Sequence, residues 1–135
     1  MASSKMKQCK KRRRRGRLRG KYFSTKMNVE MTYRSSWELF YFQYLDSNVE
    51  VLKYYSESLR IPYVANVRSG RVRNYIPDLL IEYETKKILV EIKPSSKLMH
   101  RTNIKKFAAA RNFCIINNIE FMIITEIELR KLGLK

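Results

Sequence analysis

A chain of 135 residues with a formal net charge of +17 is long enough for one domain with a modest core and too short for two. No apolar stretch approaches the ~20 residues of a membrane-spanning helix, and no apolar segment follows the basic beginning as a secretory signal requires. Only two cysteines are present, Cys9 and Cys114, which argues against a disulfide framework or a cysteine metal cluster and fits a reducing compartment.

The positive charge is concentrated at the start. Residues 1–29 carry twelve Lys or Arg and no Asp or Glu, so twelve of the seventeen net charges sit there. These residues are Lys5, Lys7, Lys10, Lys11, Arg12, Arg13, Arg14, Arg15, Arg17, Arg19, Lys21 and Lys26. Such a block repels itself and lacks apolar periodicity, so it is expected to be a disordered arm, with a folded domain over 30–135. Its natural partner is a polyanion, bound by phosphate neutralisation without base reading. A targeting signal, or an arm that docks on an acidic protein, is the competing reading.

Beyond Met31 the chain becomes periodic. Ser35 or Ser36 can cap a helix running to about Asp46, with Glu38 in its first turn near the positive end of the helix dipole. Trp37, Phe40, Tyr41, Tyr44 and Leu45 recur at helical spacing and predict a core-facing stripe. Glu38 falls on a line with Tyr41, Phe42 and Leu45. Position alone makes it an ordinary helix-start glutamate. Arg34 and Ser35, just before the helix, suit phosphate contact or capping equally well.

Short strands are expected over 51–56, 61–67 and 71–76, with a turn at Ser69-Gly70. Arg68, Arg71 and Arg73 flank that turn and can grip a phosphate backbone, although a solvated basic hairpin accounts for them as well. Glu57, at the end of the first strand, is a candidate support for a nearby lysine or metal.

The next hairpin carries the chemistry. Asp78-Leu-Leu-Ile-Glu-Tyr83 reads as a strand, joined through residues 84–87 to an apolar strand ending Glu91-Ile92-Lys93. Side chains alternate along a strand, so Glu91 and Lys93 share one face and Ile88, Val90 and Ile92 the other. A tight turn centred on Glu84-Thr85 sets Asp78 opposite Glu91, which places their Cβ atoms about 4.5–5.5 Å apart. Opposed like charges destabilise a sheet unless a cation lies between them. Oxygen donors of this kind suit Mg²⁺, with Mn²⁺ as a substitute, because Mg²⁺ takes one or two protein carboxylates and completes its shell with water and phosphate.

Pro94 ends the strand. His100, the only histidine, falls in a loop-like segment and reads as a surface or phosphate-contact residue. A helix is predicted over about 102–117, then an apolar strand over 121–125 of the kind buried on both faces. Strand, helix, strand makes a parallel crossover, expected to be right-handed. Thr125 can cap a last short helix, with Gly133 past its end.

A helix glutamate, then Pro77-Asp78, then Glu91-Ile-Lys93 on an α-β-β-β-α-β order resembles the PD-(D/E)XK nuclease superfamily, an α/β fold with a mixed central sheet flanked by helices. Thr32-Tyr-Arg-Ser-Ser-Trp-Glu38, Ile61-Pro-Tyr63, Tyr75-Ile-Pro-Asp78 and Val90-Glu-Ile-Lys-Pro94 resemble, more narrowly, TnsA-like endonucleases and the head-completion nucleases of T-even-like tailed phages. The resemblance covers about residues 31–135. It implies that Asp78 and Glu91 are the metal ligands, that Glu38 is a third acidic ligand directly or through water, and that Lys93 orients or activates the attacking water. It implies a Mg²⁺-dependent DNA endonuclease with little base specificity, working in the host cytoplasm during assembly and in the head–neck region of the virion. The alternative is a structural head-completion protein that binds DNA or the portal and neck proteins and keeps a weak or dispensable nuclease site.

Overall fold

The computed structural model describes residues 19–135. In chain order these form β1 (Gly20–Ser24), β2 (Val29–Tyr33), α1 (Ser36–Ser47), β3 (Lys53–Ser56), β4 (Ile61–Asn66), β5 (Arg71–Tyr75), β6 (Leu79–Glu82) and β7 (Lys87–Ile92). A short 3-10 turn (Ser95–Lys97), α2 (Arg101–Asn117), β8 (Glu120–Ile124) and α3 (Glu126–Lys131) follow.

β3, β6, β7 and β8 make a mixed four-stranded sheet in that spatial order, while β1–β2 and β4–β5 are separate antiparallel hairpins. The strand β6 runs antiparallel to β3 and β7, and β8 returns parallel to β7 after the α2 crossover. The alternation along β7 has a direct consequence. Ile88, Val90 and Ile92 join Tyr41, Phe42 and Leu45 of α1 and Leu129 of α3 in one apolar cluster. Leu89, pointing the other way, joins Phe107, Ala110 and Cys114 of α2 with Ile61, Tyr63 and Tyr75 of the β4–β5 hairpin. The sheet is therefore covered on both faces.

Local chemistry explains where the helices begin. The Ser35 hydroxyl accepts the amide of Glu38 at 3.2 Å and opens α1. Thr125 and Glu128 form a reciprocal capping box at α3, a device that satisfies two otherwise unpaired amides.

Three expectations change. The basic arm does not extend to residue 29, because Gly20–Ser24 pairs with Val29–Tyr33 in a regular hairpin. The hydroxyls of Tyr22, Ser24 and Tyr54 all donate to the Asp46 carboxylate, and Lys26 Nζ donates to the carbonyls of Asn48 and Val51, each at 2.6 Å. These bonds tie the hairpin to α1 and to β3. The basic residues before Arg19, from Lys5 to Arg17, lie outside the described residues.

The buried ridge of α1 is also rotated from the predicted stripe. Tyr41, Phe42 and Leu45 are buried, whereas Trp37, Phe40 and Tyr44 pack only partly against the core. Glu38 lies on the line of that ridge. Finally, β8 is not buried on both faces. It is an edge strand bonded only to β7, with Glu120 and Met122 exposed.

Candidate active site

The β6–β7 hairpin adopts the register that its turn dictates. The Tyr83 amide donates to the Lys86 carbonyl at 2.8 Å, which closes the turn over Glu84 and Thr85. The pairs Leu79↔Val90, Leu80↔Leu89 and Ile81↔Ile88 follow. One step beyond Leu79, Asp78 stands across from Glu91.

Asp78 is held from two sides. Its Oδ2 accepts the Ile92 amide at 2.7 Å, and its own carbonyl accepts the Glu57 amide at 3.0 Å. Among the described residues its Oδ1 has no hydrogen-bond partner. Glu91 is only 5% exposed. Its Oε1 accepts the Tyr75 hydroxyl at 2.6 Å, and its Oε2 lies 3.3 Å from Lys93 Nζ. Lys93, with a quarter of its side chain exposed, can present its remaining donors to a substrate.

Burial and repulsion set the electrostatics. Burial, then the charge of Glu91 and the more distant charge of Glu38, raises the Asp78 carboxyl well above its ordinary range, despite the Ile92 amide and Lys93. Burial also raises Glu91, against the opposing pull of the Tyr75 hydroxyl, Lys93 and Lys106. Two raised, opposed carboxylates with Asp78 Oδ1 free and Glu91 Oε2 facing only a lysine form a hard oxygen donor pair that suits Mg²⁺.

Asp78, Glu91 and Lys93 thus converge as expected. Glu38 does not complete a set of three with them. Among the described residues no three His, Cys, Asp or Glu side chains gather as a metal site. Glu38 Oε1 accepts the Arg34 amide at 2.9 Å across the helix start, and its charge is near enough to Asp78 to help raise that carboxyl.

The other candidates divide. The Arg34 guanidinium pairs with Glu57. The Glu57 carboxylate faces Arg34, while Lys93 pairs with Glu91. Glu57 takes a left-handed backbone (φ 53°) that turns its amide onto the Asp78 carbonyl. His100 is exposed at the start of α2 and makes no side-chain cap. Arg19 is exposed just before β1, and Arg71 and Arg73 are exposed on β5.

Two residues at the site were not singled out from the sequence. Tyr75 orients Glu91, and Lys106 on α2 lies 5.9 Å from the centre of the Tyr75 ring. A tyrosine three residues before the acidic motif gives no signal alone. Its role arises only when the β4–β5 hairpin docks on α2.

A parallel crossover on a mixed sheet, with an acidic pair and a lysine at the end of its central hairpin, defines a protein of the restriction-endonuclease-like fold. A model of the TnsA-like endonuclease N-terminal family matches residues 48–126, and the chain belongs to that family. It is also 33% identical over 129 residues to the head completion nuclease of Enterobacteria phage T4, an alignment covering 78% of this chain and 85% of that protein. The family match contains Asp78, Glu91 and Lys93 and begins after Glu38. Among the described residues, no helix is long and apolar enough to cross a membrane.

Proposed function

We propose that this protein is a Mg²⁺-dependent DNA endonuclease that acts in phage head completion, hydrolysing phosphodiester bonds with little base specificity. The observation that carries this reading is the opposition of Asp78 and Glu91 with Lys93 at the end of one hairpin. The TnsA-like family and the named activity of the T4 relative support it. A protein that only plugs or binds has no need of a buried and a half-buried carboxylate that repel each other. The portal and neck proteins are its proposed assembly partners.

Asp78 Oδ1 and Glu91 Oε2 would hold the ion. When bound, Mg²⁺ (or Mn²⁺) polarises the phosphate and lowers the pKa of a bound water. Lys93 Nζ offsets negative charge on the phosphoryl oxygens as the transition state forms, and orients the attacking water from its place beside Glu91. Tyr75 holds the Glu91 carboxylate in one rotamer, so the donor pair is preorganised on strands rather than on loops. Supercoiled plasmid is therefore expected to be nicked in Mg²⁺ or Mn²⁺ and left intact in EDTA, with Ca²⁺ supporting binding but little cleavage. Equal nicking in EDTA, read on an agarose gel, would overturn the reading.

The basic arm supplies sequence-independent affinity. Residues 1–18 hold nine Lys or Arg, and each phosphate that a basic side chain no longer neutralises flattens the log–log salt slope by about 0.9. Removing 1–18 should flatten the slope and keep the β1–β2 hairpin. Removing 1–29 should lower the melting temperature, because it takes away β1 and the hydroxyls of Tyr22 and Ser24 on Asp46. Salt titration of DNA binding and a thermal melt check the two halves. A slope unaffected by the shorter truncation would show that the arm does not engage phosphate.

A further inference from the structure

A second basic feature lies apart from the acidic pair. Between the β4–β5 hairpin and the start of α2 is a cleft of about 330 Å³, lined by Tyr63, Asn66, Arg71, Arg73, Thr102 and Lys105 among others, none of them acidic. Arg71 and Arg73 make no ion pair among the described residues, although both are exposed. Lys105 Nζ gives one hydrogen bond to the Ala65 carbonyl at 2.8 Å, which anchors it at the wall with donors to spare. The α2 end of the cleft is positive for an independent reason. The first turn of this seventeen-residue helix has no acidic residue and no side-chain cap, so its amides keep the unmet donor capacity that favours anions.

The cleft is in line with the acidic pair. Arg71, Arg73 and Tyr75 alternate along β5 and so share one face, and Tyr75 is the residue whose hydroxyl touches Glu91. Two-residue steps on a strand cover about 7 Å. Arg73 and Arg71 therefore start about 7 and 13 Å from Tyr75 along the strand. DNA carries one phosphate per ~3.4 Å of axis on each strand, more widely spaced along the backbone itself, which puts the cleft within a few phosphates of the bond at Glu91.

We propose that the cleft seats the sugar–phosphate backbone of duplex DNA beside the scissile bond, with Arg71 and Arg73 gripping phosphate and Thr102 and Lys105 completing the wall. The seat sets how the duplex lies across Asp78 and Glu91 and reads no base. It rests on the nuclease reading above and adds a fixed second point of contact to it.

The test uses the full chain in EDTA, where binding is measured without metal-dependent cleavage, on a short duplex over a range of salt. Arg71→Gln/Arg73→Gln should weaken binding about ten- to a hundredfold at 50 mM salt and lower the slope magnitude by about 1–2. Lys53→Gln/Lys135→Gln, which removes the same charge from exposed positions outside the cleft, should leave the slope near that of the unmodified chain. Arg71→Lys/Arg73→Lys should restore most of it, since lysine still binds phosphate as a point charge. A slope change no larger than in the Lys53/Lys135 pair overturns the seat and reduces the arginines to general charge. An unchanged slope overturns it too, and leaves the cleft to an acidic protein segment. Neither result bears on the nuclease reading, which stands or falls on cleavage by Asp78 and Lys93 variants.

Discussion

Asp78→Ala and Lys93→Ala are each expected to cut plasmid nicking in Mg²⁺ by a factor of about 10²–10³ or more, the cost of removing one preorganised electrostatic contact at a phosphoryl or acyl centre. The double variant should be little worse than either single one, because groups acting on one transition state are not additive. The two losses differ in kind. Asp78→Ala removes the member of the pair whose Oδ1 has no partner among the described residues, and also the acceptor of the Ile92 amide, a buried donor whose loss of its partner costs about 1–3 kcal/mol of stability. Lys93→Ala leaves the hairpin bonds intact and removes a cation that holds Glu91 down, so its residual activity should move to higher pH. Initial rates across pH, paired with circular dichroism to confirm folding, check both. Undiminished nicking by either purified variant removes that residue from the site.

Asp78→Asn should melt at a higher temperature than the unmodified chain in EDTA at neutral pH, while being inactive. The asparagine oxygen can still accept the Ile92 amide, but the charge is gone. The sign follows from the direction of the shift. Burial, reinforced by Glu91, raises the folded-state Asp78 carboxyl well above its ordinary value of 3.8. The folded state therefore binds that proton more tightly than the unfolded chain, and this site's contribution to stability falls as pH rises from 3.8 through the raised value. Above the raised value the full penalty is present. Asp78→Asn removes it at every pH, and a divalent ion held by the pair as proposed would offset it for the unmodified chain by binding only the folded state.

For a domain of this size each kcal/mol relieved shifts the melting temperature by about 3–6 °C. The gap between the two proteins should close as pH falls toward 4, and added Mg²⁺ should raise the melting temperature of the unmodified chain more than that of Asp78→Asn. A lower melting temperature for Asp78→Asn in EDTA would contradict the repulsion argued for the pair.

The carboxylate pair was legible from the chain because hairpin register is local. A turn over Glu84 and Thr85 determines every pair down to Leu79 and Val90, and strand alternation then puts Glu91 and Lys93 on one face. Helix caps at Ser35 and Thr125 were legible for the same reason, since a capping side chain reaches only two or three residues ahead.

The hairpin inside the expected arm was not legible. Lys21 and Lys26 continue the basic composition without an acidic residue until Glu30, and the contacts that order Tyr22 and Ser24 are made to Asp46, more than twenty residues away. The partner of Arg34 was not legible for a similar reason, because Glu57 is remote in sequence. Strand β8 misled through its composition. Phe121, Met122 and Ile123 read as a strand buried on both faces, but whether a strand is central or edge depends on which neighbours the sheet supplies.

Taken alone, the amino-acid order determined the spacing-dependent features of this protein: the facing carboxylates, the lysine beside them, the helix starts and the excess of positive charge. Each depends on residues a few positions apart, where chain geometry leaves little choice. Only the tertiary structure decided that Tyr75 holds Glu91, that Glu38 comes near enough to Asp78 for its charge to be felt there, and that Arg71, Arg73 and Lys105 line one cleft. Those relations join elements separated by ten to forty residues, and they come from how the β4–β5 hairpin, α1 and α2 bury their apolar faces against the sheet, which no local pattern encodes.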